Sequence, residues 1–91
     1  MSEQTSIEAA IFRLIDAAGD GKSICPTDVA RAVMPGPGEL WRRQLSAVRR
    51  AAIRLGEAGR IDIMRKGRPV EAAGVKGVIR LRRRADIPPE A

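Results

Sequence analysis

Pro26-Thr27-Asp28-Val29-Ala30-Arg31-Ala32-Val33-Met34, then Pro35-Gly36-Pro37-Gly38, then Glu39-Leu40-Trp41-Arg42-Arg43-Gln44-Leu45-Ser46-Ala47-Val48-Arg49-Arg50-Ala51-Ala52-Ile53-Arg54-Leu55-Gly56-Glu57-Ala58-Gly59: residues 26–59 read as a short helix, a tight turn and a longer helix. Pro26 suits a first helical position, where its missing N–H costs nothing, and it holds Cys25 extended. Val29, Ala30 and Val33 share an inward face, and Asp28 stands in the positively polarised first turn. The Pro-Gly-Pro-Gly run cannot continue a helix. The longer helix is expected from about Glu39 to Ala58, closed by Gly59 as a left-handed cap.

At about 100° per residue, Trp41, Leu45, Val48, Ala52 and Leu55 fall on one side of that helix. Arg42, Arg43, Ser46, Arg49, Arg50, Ile53 and Arg54 fall on the other, with no acidic residue among them. A solvated helix face ordinarily mixes signs, and like charges one or two turns apart cost a few tenths of a kcal/mol per pair. An anionic partner relieves that repulsion.

On the N-terminal side, Thr5 and Glu8 have the spacing of a capping box, so a helix is expected from about Ser6. Ile7, Ala10, Ile11, Leu14, Ile15 and Ala18 form its buried stripe, and Gly19-Asp20-Gly21 stops it. Ser23-Ile24-Cys25 is a short extended link. On the C-terminal side, Ile61-Asp62-Ile63-Met64-Arg65 and Gly77-Val78-Ile79-Arg80-Leu81-Arg82 alternate like strands, joined by a Gly- and Pro-bearing connection from Lys66 to Lys76. Two helices around a tight turn cannot bury both apolar faces alone; the first helix and the hairpin complete the core. The expected fold is therefore a winged helix-turn-helix, mainly α with a small β hairpin: three helices and a two- to three-stranded antiparallel sheet. One domain is expected over residues 1–84, with a loose tail over 85–91 marked by Ile87-Pro88-Pro89.

Ninety-one residues suffice for one core, and with Phe12 and Trp41 the only aromatics that core must be aliphatic. The formal net charge of +6 is unevenly spread: residues 1–40 carry three basic and six acidic side chains, residues 41–84 fourteen basic and three acidic. Such sorting creates a positive field that attracts polyanions. A single cysteine, Cys25, excludes a disulfide framework. Met1-Ser2-Glu3-Gln4 has no basic or apolar leader pattern, and no apolar run reaches membrane-spanning length. A cytoplasmic setting is expected. With no histidine or tyrosine and only scattered carboxylates, no enzyme activity, metal site or cofactor is expected. Gly21-Lys22-Ser23 resembles the end of a phosphate-binding loop, but Asp16 stands where its first glycine belongs.

In helix-turn-helix proteins the second helix of the pair enters the major groove, and arginine serves both guanine edges and phosphates there. Arg42, Arg43 and Ser46 are expected to approach bases, and Arg49, Arg50 and Arg54 phosphates. Arg65, Lys66, Arg68 and Lys76 mark the connection as a basic wing able to reach an adjacent groove. The leading expectation is DNA binding, with transcriptional regulation as its use, by a monomer or homodimer. The alternative is a winged-helix adaptor that binds an acidic protein partner.

The chain also resembles a bacterial winged-helix family catalogued as domain of unknown function 3253. The resemblance rests on Ile24-Cys25-Pro26-Thr27-Asp28-Val29-Ala30-Arg31-Ala32, Trp41-Arg42, Val48-Arg49, Gly59-Arg60-Ile61, Lys66-Gly67-Arg68-Pro69-Val70 and Gly77-Val78-Ile79-Arg80-Leu81-Arg82. It spans roughly residues 6–83 and implies the fold, with no activity or site residues to carry over.

Overall fold

The computed structural model describes residues 3–84, with side chains from Ser6 onward. Helix α1 (Glu3–Ala18) buries Ile7, Ala10, Ile11 and Ile15, while Leu14 and Ala18 pack at the edge of the same core. The chain is already helical at Glu3, so Thr5 lies within α1 and is not its N-cap. A capping interaction occurs one helix later: ahead of α2 (Pro26–Val33), the Cys25 N–H donates to the Asp28 carboxylate at 3.0 Å. Between these helices β1 (Ser23–Ile24) forms as a two-residue strand.

Helix three is shorter than its periodicity suggests. Leu40–Gln44 form a 3-10 turn, and α3 proper spans Leu45–Glu57. No Ser, Thr, Asp or Asn precedes Leu40 to cap free N–H groups, and the Glu39 carboxylate turns to Arg42 instead. The first turn consequently tightens to i→i+3 bonding, with the Arg42 N–H donating to the Glu39 carbonyl at 3.0 Å. At the other end Gly59 has φ 75°, the Arg60 N–H reaches the Leu55 carbonyl at 2.9 Å, and the Gly59 N–H reaches Gly56 at 3.0 Å. This pair of bonds is a Schellman cap, which requires a residue without Cβ strain at Gly59.

The sheet has four antiparallel strands in the order β1-β4-β2-β3, with β2 at Ile61–Arg65, β3 at Arg68–Val70 and β4 at Arg80–Arg83. Helices α1 and α3 pack on one face of this sheet and α2 packs against both helices, making a winged-helix-like fold with more strands than the two or three expected. Ile24, Ile61, Ile63 and Leu81 point from the sheet into the core shared with Val29, Ala30, Val48, Ala51, Ala52 and Leu55. The strand expected from Gly77 to Arg82 starts only at Arg80. The tail expected from residue 85 lies outside the described residues.

The added strand β3 arises from the Lys66-Gly67 pair. Lys66 has φ 53° and Gly67 φ 80°, the two positive values a two-residue type I′ turn requires, and Arg65 pairs with Arg68 across it. Arg65 and Arg68 then form the hydrogen-bonded pair nearest the turn, which puts Pro69 at a position whose N–H would face outward. Pro69 thus removes the donor from the outer edge and blunts it against pairing with another chain.

After β3 the chain crosses back to the far side of β2 through residues 71–79. This connection, expected as a wing reaching toward an adjacent groove, packs onto the protein itself. Ala72 is buried against Gly56, Ile79 is buried in the core, and Val75 packs at the edge of the core. A Cβ on Gly56 would lie 2.8 Å from Ile63 Cγ1 and 2.9 Å from the Ala72 Cβ, so α3 approaches both segments through its glycine. Gly56→Ala gains about 1 kcal/mol of helix propensity but overpacks a contact whose displacement costs about 1–3 kcal/mol. A net loss of roughly 1 kcal/mol is expected, because the Ala72 Cβ can move only with its backbone. Urea unfolding checks this; a stabilised variant would show that α3 does not press on the connection.

Candidate nucleic-acid interface

Exposure along the helix-three segment sorts its arginines. Arg43, Ser46, Arg50 and Arg54 are exposed at spacings of three and four, so they form one stripe turned away from buried Val48, Ala51, Ala52 and Leu55. Arg43, Arg50 and Arg54 have no ion pair or side-chain hydrogen bond among the described residues. Arg50 and Arg54, one turn apart within α3, keep the like-charge repulsion seen in the sequence.

Three other members of the expected arc behave differently. Arg42 pairs with the Glu39 carboxylate and stacks over the Trp41 ring at 5.0 Å from its centroid, where Arg31 of α2 also stacks at 4.6 Å. The acidic residue that engages this arginine, Glu39, lies just before the arc, at the N-cap of the 3-10 turn. Ile53 is half-buried and packs against the core, where the wheel placed it outward. Arg49 lies on the flank of α3, where its Nη1 donates to the Gly77 carbonyl at 2.8 Å and its Nη2 to the Val75 carbonyl at 3.0 Å. A guanidinium committed to two carbonyls is a brace for the connection, in place of the free phosphate contact expected of it. Trp41 and Leu45 pack against the core from partly buried positions, as their side of the helix predicted.

Arg49 also fixes where the connection runs. Ala72 sits beside Gly56 near the end of α3, and Val75 and Gly77 sit beside Arg49, so the segment follows the helix back toward its start. Lys76, exposed between the two braced carbonyls, is thereby held beside α3. From the sheet side Arg65 Nη1 donates to the Val78 carbonyl at 3.3 Å, and its guanidinium covers Gly77 so closely that there is no room for a Cβ there. Lys66 and Arg68 are exposed on the β2–β3 turn and β3. The structure therefore splits the expected wing into a two-residue turn and a strapped connection. The strap was illegible in the sequence because carbonyl-seeking arginines leave no spacing signature. The turn had one weak signal, a residue-Gly pair between strand-compatible stretches.

The basic run at the end of β4 is partly neutralised. Arg82 pairs with Asp62 directly opposite on β2 at 2.9 Å, and Arg83 approaches Asp20 at 3.4 Å. The charge excess is therefore concentrated on the α3 stripe, the connection and the hairpin tip.

The family model described as Protein of unknown function (DUF3253) matches residues 4–84. The chain belongs to this family. The DUF3253 match covers all three helices and all four strands bar the first residue of α1. No curated protein matches the chain. Function in this DUF3253 domain therefore has to be argued from the side chains themselves. Among the described residues no group of three or more His, Cys, Asp or Glu is placed to hold a metal ion, and no helix is long and apolar enough to cross a membrane. Cys25 is a half-buried free thiol whose Sγ lies 2.7 Å from the Thr27 hydroxyl.

Proposed function

We propose that this domain binds duplex DNA, with the segment from Arg43 through α3 lying in the major groove. The observation that carries the reading is the exposed stripe Arg43, Ser46, Arg50 and Arg54, unpaired and opposite the buried face of the same helix. Arg43 and Ser46, at the leading end, are the groups for base edges, where a bidentate arginine–guanine contact suits Arg43. Arg50 and Arg54 further along meet phosphate, as do Arg68 on β3 and Lys76 on the strapped connection. Arg42 contributes less than its neighbours because Glu39 already occupies it. The domain acts as a binding module without catalysis, as a DNA-bound regulator in the cytoplasm.

Charge of this kind alone supports non-specific dissociation constants of roughly 10⁻⁴–10⁻⁶ M at physiological salt. Arg43→Ala is expected to weaken duplex binding and to lower the slope of log K against log salt by about 0.9, the increment for one phosphate-equivalent contact. Fluorescence polarisation across a salt series measures both. An affinity and slope equal to those of the unsubstituted protein would remove Arg43 from the interface.

A further inference from the structure

The sheet's face away from the helices carries a feature that duplex binding by α3 leaves unused. Along β2 and β4, Met64 and Arg80 are cross-strand neighbours and alternate with core-facing Ile63 and Leu81, so they lie on the far face, Arg80 exposed and Met64 only 6% exposed beneath its neighbours. Next to them Val78 is 80% exposed, the most exposed large apolar side chain among the described residues. Together Met64 and Val78 line a groove of about 580 Å³ at the hairpin tip, walled by Arg65, Lys66 and Arg80. No carboxylate and no residue of α3 lines it.

Two of the three cations are held in place. Arg80 donates through Nε to the Ser23 hydroxyl at 2.7 Å and through Nη2 to the Ser23 carbonyl at 2.9 Å, and Arg65 is tied to the Val78 carbonyl. A guanidinium has five N–H donors, so each retains donors directed elsewhere. Cations immobilised in advance lose little rotamer freedom when a carboxylate arrives.

We infer that this groove is a second docking surface, for an acidic peptide segment of a partner protein that carries a large apolar side chain between carboxylates. The apolar floor and the cationic walls each match one half of that chemistry. A second copy of this chain fits poorly, since it brings a net charge of +6 against the groove's three cations. A nucleic-acid backbone satisfies the walls but leaves Met64 and Val78 against phosphate. Arg65 and Lys66, expected from the sequence to serve a wing against DNA, serve the peptide instead. The domain then holds duplex on α3 and a protein at the hairpin tip at the same time.

The test uses a short acetylated peptide of alternating aspartate and leucine, with an aspartate–serine control, titrated into the ¹⁵N-labelled protein. The leucine peptide is expected to shift the amides of Val78, Gly67 and Arg80 and to bind about tenfold more tightly than the control. Val78→Ser, at an exposed position that leaves the core untouched, is expected to erase that tenfold preference. Lys66→Asn keeps a residue that tolerates the left-handed turn and is expected to weaken both peptides. Saturating duplex DNA is expected to leave peptide binding unchanged. Absence of binding, indifference to Val78→Ser, or displacement of the peptide by duplex would each overturn the inference. Displacement would mean that the groove belongs to the nucleic-acid interface. Loss of duplex binding with the peptide still bound would refute only the α3 reading.

Discussion

Leu81→Ala is expected to lower stability by about 3 kcal/mol and the melting temperature by roughly 12–24 °C. Leu81 is fully buried on β4, the strand between β1 and β2, and stands opposite both Ile24 and Ile63. Truncation removes apolar contact area and leaves a cavity that a β-strand, hydrogen-bonded on both sides, cannot collapse to fill. A domain of this size has about 5–14 kcal/mol of total stability, so the loss is a large share of it. Circular dichroism melts of the two proteins measure the difference. A shift of only a few degrees would mean that β4 does not hold the sheet to the helices as described.

Residues such as Leu81 were legible in the sequence because burial imposes a period. The stripe Ile7, Ala10, Ile11 and Ile15 and the alternation of Ile61 and Ile63 need no tertiary knowledge to be assigned to the core. Features set by a single local exchange were harder to read. The 3-10 turn at Leu40–Gln44 depends on Glu39 choosing the Arg42 guanidinium over free N–H groups. Strand β3 depends on Lys66 accepting a left-handed backbone, a conformation the side chain does not advertise, and Pro69 argues against a strand unless its edge position is already known. Of the candidate site, the exposed stripe could be read from charge and spacing. The diversion of Arg49 to the carbonyls of Val75 and Gly77 could not, because its partners are backbone groups twenty-six and twenty-eight residues away.

The second large effect concerns that stripe. Replacing Arg43, Arg50 and Arg54 together by alanine is expected to lower the slope of log K against log salt by about 2.7 and to weaken binding at about 50 mM salt roughly a thousandfold. All three side chains are exposed and unpaired, so their removal leaves no orphaned carboxylate and relieves the repulsion between Arg50 and Arg54. The folded state is therefore expected to be as stable as before or slightly more so. A thermal melt run beside the binding curve separates lost contact from lost fold. Arg49→Ala is the informative contrast, since it unstraps the connection and so reduces stability as well as binding.

Binding of the unsubstituted protein to random-sequence duplex, followed by polarisation from about 50 to 200 mM salt, probes the proposed interface most directly. Five interface cations, Arg50, Arg54, Arg68 and Lys76 at phosphate and Arg43 counted as one phosphate-equivalent contact, correspond to a slope near −4.5 and a roughly 500-fold loss of affinity across that range. Failure to bind duplex at the lowest salt, or binding that salt leaves unchanged, would contradict the assignment of the α3 stripe to DNA.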